Sequence, residues 1–416
     1  MVSTPGGKGS YKELSGQGGS ILEAKARIEW LQDGNKNLRF FHAVVAERCA
    51  KSVIHWIRSS TGEWLTDKTH ISTEAVEYFT SLFSAEPCTG SWNTLEVIPN
   101  VISRDQNAEL ERLPSMEEIK EVVFAMDGES ATGPDGFTAR LSKVWPSIIS
   151  PQQSGFVKGR QIFDNFLLAQ ELVSDIHRKN REGNVVLKLD MAKAYDRVSW
   201  PFLLQVLRRF GFGEVWIDMI WRLISNVWFS VIVNGAPQGF FKSSRGLRQG
   251  DSISPALFVI SAEVLSRLLN ALSSYRGFTP FRVPRGCLPI THLAYANDII
   301  IFSSGLWQSV QLVMKTLDAY GSVKRSIAVM TGFQSKEFSV KHLGYPLYAG
   351  RRRRCYFAGG GAGLRSLKHV FDAFSMRLWW HFQLRQSLWA KFVHCKYCPN
   401  LHPCFADTSP GDSWTW

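Results

Sequence analysis

Asp190 closes a short apolar run, Val185-Val186-Leu187-Lys188-Leu189, and is followed by a basic, aromatic and acidic cluster that ends at Trp200. A carboxylate in such a place, beside a basic surface, suits a metal ion held against phosphates, because hard cations take oxygen ligands. The same residue also fits a plain turn aspartate before a helix, and the stretch alone leaves both readings open. An amide and a second carboxylate, Asn297 and Asp298, sit between two apolar arms, Leu293 to Tyr295 and Ile299 to Phe302. Basic side chains suited to phosphates fall in two glycine-containing loops. One holds Gly155, Lys158, Gly159 and Arg160; the other is the elbow Arg245-Gly246-Leu247-Arg248-Gln249-Gly250-Asp251. Glycine in such loops lets backbone approach a ligand closely.

The elements that must position these groups follow from pattern. Residues 185–189 are β-branched or leucine for the most part and too few for a helix, which predicts a strand ending at Asp190. Ser199 is an N-cap with Pro201 in the first turn; Leu203, Leu207 and Phe210 share one helix face, and Gly211 stops the helix. Residues 292–302 have the form of a tight hairpin whose arms hold the turn rigidly. Ser254-Pro255 opens a helix running to about Leu272. Helices are also predicted over 71–83, 115–126, 164–176, 216–225 and 312–320. A hairpin is predicted over 52–66, strands over 229–233 and 240–244, and an extended segment over 338–348. Residues 94–101 carry no clear pattern. The spacing places a rigid turn at Gly133-Pro134-Asp135-Gly136-Phe137, a helical arm over 21–48, and a Trp-rich helical region ending near Tyr397 after the break at Gly359-Gly360-Gly361.

A chain of 416 residues has room for two or three domains and a sizeable core. With 45% hydrophobic and 20% charged residues it reads as folded, and a net charge of +12 points to a polyanionic partner, most simply nucleic acid. Seven scattered cysteines give no disulfide framework, which favours a reducing compartment and an intracellular place, nucleus or cytoplasm. No stretch reads as apolar and long enough to span a bilayer, and the Gly/Ser-rich first twenty residues lack the apolar core of a signal peptide. No membrane partner is expected.

Five stretches stand in one order: GPDGF, QSGFVKGRQIFDN, LKLDMAKAYDRVSW, RGLRQGDSISPALF and HLAYANDIIIF. In that order they resemble the reverse transcriptase of plant LINE-type non-LTR retrotransposons. IEWLQDGNKNLRFFH resembles the segment preceding the polymerase in those elements, and LGYPLYAG resembles part of their thumb. The resemblance implies an α/β right-hand polymerase fold: a palm with a small antiparallel sheet flanked by helices, truncated fingers, a remnant thumb and a helical N-terminal arm. It implies RNA-directed DNA polymerisation, with a primer 3′-hydroxyl attacking a nucleotide α-phosphate between two Mg²⁺ ions. The implied partners are an RNA template, a DNA primer and deoxynucleoside triphosphates. Asp190 matches the first metal ligand, and Asp298 is the other remaining carboxylate ligand. Tyr195 matches the aromatic under the incoming sugar, and Gln249 and Gly250 the elbow at the template base and nucleotide. Lys158, Arg160 and Arg248 are implied near nucleic acid, Leu343 and Gly344 at the primer, while Asp196, Arg197 and Trp200 fix local structure. The implied division is 1–20 flexible, 21–132 preceding the polymerase, 133–337 fingers remnant and palm, and 338–416 thumb remnant and C-terminal helical region.

The chain departs from that family where it reads Tyr295-Ala296-Asn297-Asp298, since the family has Tyr-Ala-Asp-Asp and its first aspartate is an essential ligand. An amide oxygen can ligate Mg²⁺ but carries no charge. Losing one member of a buried ionic cluster costs about 3 to 5 kcal/mol, about a hundredfold to several thousandfold in rate. Ser252 stands where the family has proline. Ser150 runs straight into Pro151, Val323 into Lys324, and Arg354 reaches Gly361, at joins where the family carries longer segments, including fingers strands. The expectation is an internally deleted copy with impaired polymerisation; the alternative is a catalytically inactive nucleic-acid-binding remnant. An intron maturase shares the palm motifs but not IEWLQDGNKNLRFFH or LGYPLYAG. Cys395, Cys398, His402 and Cys404 form a zinc-like set, but the resemblance reads them as a connector, so zinc is not expected.

Overall fold

The computed structural model describes residues 47, 53–85, 92–125, 140–141, 143–174, 176, 183–191, 193–324, 340–342, 345–347 and 378–399. The expectations for residues 1–20, for the arm over 21–48 apart from Glu47, for the turn at 133–137, and for Leu343, Gly344, 351–354, 359–361, His402 and Cys404 lie outside the described residues. In chain order the elements are β1 (Ile57–Arg58), β2 (Trp64–Leu65), α1 (Lys68–Phe83), a 3-10 helix Trp92–Val97, α2 (Arg104–Glu111), α3 (Met116–Ala125), α4 (Trp145–Ile148), α5 (Ile162–Ser174) and β3 (Asn184–Asp190). There follow α6 (Trp200–Phe210), α7 (Glu214–Ser225), β4 (Trp228–Val233), β5 (Ala236–Lys242), α8 (Ser254–Ala271), β6 (His292–Tyr295), β7 (Asp298–Ser304), α9 (Trp307–Lys324), β8 (Val340–His342), β9 (Tyr345–Leu347) and α10 (Leu388–Tyr397). The chain divides into two compact units, Met1–Ser81 with Trp228–Lys242, and Leu82–Val227 with Ser243–Trp416.

The first unit holds two small hairpins and most of α1. In the hairpin over β1 and β2, Ile57 faces Leu65, as the alternation predicts. The strand expected over 240–244 begins earlier, at Ala236, because Asn234 and Gly235, both at positive φ, close a two-residue turn that returns the chain at once. Asn234 also accepts from the Ile54 N–H at 2.8 Å and donates to its carbonyl at 3.1 Å.

The second unit is built on a three-stranded antiparallel sheet of order β3-β7-β6. The period-two alternation gives the sheet two dry faces. Leu189, Leu187, Ile299, Ile301 and Ala294 pack with α6, α8 and α9, whose Phe202, Leu203, Leu207, Phe210, Phe258, Leu265, Val313 and Tyr320 are buried. Val186, Ile300, Phe302 and Leu293 pack on the other side with α5 and α10, through Phe166, Leu168, Trp389 and Val393. Across that second interface Lys396 Nζ lies 3.2 Å from Glu171 Oε2, and the Tyr397 hydroxyl donates to the same oxygen at 3.1 Å. Both charges of the pair are buried. Leu203, Leu207 and Phe210 of α6 share the predicted face, Ser199 caps the helix by accepting from the Phe202 N–H, and Gly211 ends it at φ 94°.

Two features depart from expectation. Residues 104–111 form α2 behind a capping box in which Ser103 and Gln106 satisfy each other's N–H, a signal the Ser-x-x-Gln spacing carries. Ser254–Ser274 is, by length and composition, long and apolar enough to cross a membrane, contrary to the sequence reading. Nearly three quarters of that stretch is buried inside the protein, and Glu263 and Arg267 pair within it at 3.1 Å, which suits the core helix that α8 is.

Candidate functional site

Asp190 is the last residue of β3 and stands in register opposite Asp298, the first residue of β7; on the other side Asp298 faces Tyr295 of β6. Directly opposed residues of antiparallel strands lie about 4.5 to 5.5 Å apart at Cα, so the register alone brings the two carboxylate-bearing positions together. Between Tyr295 and Asp298 runs a two-residue turn, Ala296-Asn297, with Ala296 at φ 53°. Asp298 Oδ1 lies 3.6 Å from Lys188 Nζ, and both side chains are about a third exposed. An ion pair that wet contributes little to stability; its effect is to set a cation two residues before Asp190. Asn297 is half-buried.

Tyr195 lies beyond β3 with its ring stacked on Phe258 of α8, centroids 4.6 Å apart and planes within 12°. Burial pushes its hydroxyl up to about 12, with Tyr295 adding to the shift, so it stays a neutral phenol at any physiological pH. The segment from Tyr195 to Trp200 is fastened to Gly246 and Leu247 of the elbow by three hydrogen bonds. Leu247 N–H donates to the Tyr195 carbonyl at 2.9 Å, Gly246 N–H to the Val198 carbonyl at 2.8 Å, and the Trp200 indole to the Gly246 carbonyl at 2.7 Å. Gly246 is at φ 91°, and a Cβ there would lie 2.7 Å from the Asp196 carbonyl oxygen, so only glycine fits. Gln249 Nε2 donates to Asp196 Oδ1 at 3.2 Å. Burial raises the Asp196 carboxyl pKa, and the Gln249 bond acts against that shift. Arg248, Gln249 and Gly250 are exposed, and nothing lies within 4 Å of where a Gly250 Cβ would be.

In the loop before α5, Lys158 is exposed but Arg160 turns inward. Its guanidinium donates to the carbonyls of Ser150 and Gln153, both at 2.6 Å, and of Ile149 at 2.9 Å. Desolvation lowers its pKa, against the nearby Glu263. Sequence reasoning singled out Arg160 as a phosphate contact; in the structure it braces three backbone carbonyls. Two further residues went unremarked in the sequence. Glu263, buried in α8, accepts from the Ser150 N–H at 3.0 Å and from its hydroxyl. Burial pushes its carboxyl up to about 7 against the opposing pull of those bonds and of Arg267 and Arg160. Gln153 is buried beside the turn and accepts from Ala296. A lone glutamate in an apolar helix was the available signal for the first; nothing local marked the second. β8 and β9 pair antiparallel; Leu343 and Gly344 lie outside the described residues. Cys395 lies in α10, as expected, and Cys398 is buried just beyond it.

The family described as "Reverse transcriptase (RNA-dependent DNA polymerase)" matches residues 137–345, about half of the chain, a span that includes the elbow, the sheet and Asp190. Among curated relatives, a transposon TX1 uncharacterized 149 kDa protein of Xenopus laevis is 22% identical over 68% of this chain and 26% of its own length. A retrovirus-related Pol polyprotein from the type-1 retrotransposable element R2 of Popillia japonica is 30% identical over 33% of this chain and 22% of its own. An uncharacterized mitochondrial protein of Arabidopsis thaliana is 45% identical over 18% of this chain and 60% of its own length. The chain thus spans about a quarter of the length of the first two relatives.

Proposed function

This chain belongs to the reverse transcriptase (RNA-dependent DNA polymerase) family, and we propose that it is the polymerase segment of a plant LINE-type non-LTR retrotransposon, shortened by internal deletion and weakened in catalysis. The similarity to the TX1 and R2 proteins supports the class of element, and the short, closer match to an Arabidopsis protein supports the plant origin. The division into an N-terminal region to 132, fingers remnant and palm to 337, and thumb remnant beyond belongs to the same reading. The observation that carries it is the register of Asp190 against Asp298 at the ends of β3 and β7, with a tight turn between Tyr295 and Asp298.

Carboxylates at paired strand ends are the oxygen donors that Mg²⁺ takes, so Asp190 and Asp298 fit the ion, with Asn297 supplying a neutral oxygen where a third negative charge is expected. When bound, the ions would neutralise phosphate charge and activate the attacking hydroxyl. The residues of the chain do the rest. Tyr195, its ring fixed on Phe258, limits what fits at the sugar. Gln249, held by Asp196, and the open Gly250 face the base and nucleotide. Lys158 and Arg248, both exposed, meet backbone phosphates of template and primer, and Leu343 and Gly344 lie at the primer terminus. Arg160 braces its loop and stands apart from the nucleic acid. With one charge missing, the surface binds template and primer better than the site extends them.

Template–primer binding and primer extension, measured side by side on the purified chain, test this. We expect salt-sensitive binding, weakening as salt rises, with extension absent or feeble in Mg²⁺. Robust synthesis that Asp190→Ala abolishes would overturn the impairment; failure to bind template–primer at low salt would overturn the function.

A further inference from the structure

The turn that carries Asn297 and Asp298 has a support the sequence does not announce. Ala296 is buried and sits at φ 53°, a conformation that residues with a Cβ seldom adopt. Buried as it is, its N–H needs an acceptor. The acceptor is Gln153 Oε1, 2.9 Å away, on a side chain that is 2% exposed. The same oxygen takes the Gly155 N–H at 2.8 Å, so one amide carbonyl joins the loop to the turn. The loop lies alongside β6 like a fourth strand: Gln153 bridges Ala294 in parallel, Ser154 N–H donates to the Ala294 carbonyl at 3.0 Å, and Ala294 N–H to the Gln152 carbonyl at 3.0 Å. Arg160, donating to the Gln153 carbonyl, fixes the loop from behind. The approach is so close that a Cβ on Gly155 would lie 2.5 Å from the Ala296 nitrogen.

We infer that Gln153 is a positioning residue for this turn: its buried carbonyl oxygen, by holding the Ala296 N–H, sets the backbone from which Asn297 and Asp298 project. An ordinary packing residue would stabilise the fold as a whole. Gln153 instead meets one N–H whose unusual conformation decides where two candidate ligands point. The geometry stands apart from the proposed function, and only its consequence for metal binding rests on that reading.

Hydrogen exchange on the full chain, read at the Ala296 amide, tests the geometry. In Gln153→Leu, which removes the acceptor at similar volume, Ala296 should exchange about tenfold faster or more, while amides of Ile299, Ile300 and Ile301 keep their protection. Gln153→Glu, which keeps an acceptor oxygen in place, should return Ala296 to within about threefold of the parent. If Gln153→Leu fails to fold, Gln153→Asn, which withdraws the oxygen by one methylene, carries the same expectation. Unchanged exchange at Ala296, equal acceleration throughout β7, or a glutamate variant as fast as the leucine one would each overturn the inference. Titration with Mn²⁺ alone gives the second readout: an affinity at least about tenfold weaker in Gln153→Leu and recovered in Gln153→Glu. Should the parent chain bind no Mn²⁺, the metal reading fails and the exchange result still decides the role of Gln153.

Discussion

The turn at Ala296-Asn297 hangs from a buried side chain, whereas the elbow at Arg245 to Asp251 hangs mainly from backbone. At the turn, one amide oxygen of Gln153 holds the Ala296 N–H. At the elbow, two main-chain bonds and the Trp200 indole fasten Gly246 and Leu247 to the segment after Asp190. Segments held by backbone keep their course through side-chain replacement nearby; a segment held by one side chain can be retuned by one substitution. By the resemblance, two residues depart from the family pattern, Asn297 in the turn and Ser252 just past the elbow, while Gln249 and Gly250 match it. The frame of the site is therefore more durable than its charge.

The contrast can be broken most forcefully at Gly246. Gly246→Ala forces a Cβ against the Asp196 carbonyl at positive φ, and should cost about 2 to 5 kcal/mol in urea unfolding from strain and overpacking together. A loss under about 0.5 kcal/mol would show that the elbow yields easily. Next comes pH, which acts on the turn's side through Glu263. Its folded-state pKa of about 7 lies above the ordinary 4.5, so the folded protein holds the proton more tightly than the unfolded chain. This group's contribution is fully present below about pH 4.5 and is lost as pH rises through 7, about 2 to 4 kcal/mol in all. Glu263→Gln should flatten the decline over that window; a parallel decline in the variant would refute it. Gly155→Ala, pressing on the Ala296 nitrogen without φ strain, should cost about 1 to 3 kcal/mol and move Ala296 exchange before that of β7. Trp200→Phe removes the indole bond to Gly246 together with part of a buried ring and should cost about 1 to 3 kcal/mol, leaving the two main-chain bonds in place. Smallest is Asn297→Asp, which sets a carboxylate beside Asp298 and should lower stability by under about 1 kcal/mol without metal. Mg²⁺ should stabilise the variant more than the parent; identical responses would mean that residue 297 adds nothing to cation binding.

Much of this frame was legible because its signals are local. Ser199, Pro201 and Gly211 bound α6 by capping chemistry, the alternating arms of 292–302 form the hairpin, and the apolar run 185–189 ends on Asp190 as β3 does. What sequence missed depends on partners far along the chain. Gln153 meets an N–H 143 positions away, and Glu263 meets Ser150 across 113. Arg160 has the residue type and glycine neighbour of a phosphate contact, but the carbonyls of Ile149, Ser150 and Gln153 converge on it once the loop folds. Asn234-Gly235 carried a local turn signal that the sequence reading passed over, which is why β5 starts earlier than expected.

The buried pair between Glu171 and Lys396 has a consequence for how the molecule comes into being. α5 is translated early, yet the face of the sheet that it covers is completed by α10, more than two hundred positions later. Until the ribosome has released α10, Glu171 lacks its pair with Lys396, and Phe166, Leu168 and Phe302 lack the cover of Trp389 and Val393. That face of the sheet must wait, unfinished, until α10 has been made, and a transcript cut short before α10 yields a chain that cannot close.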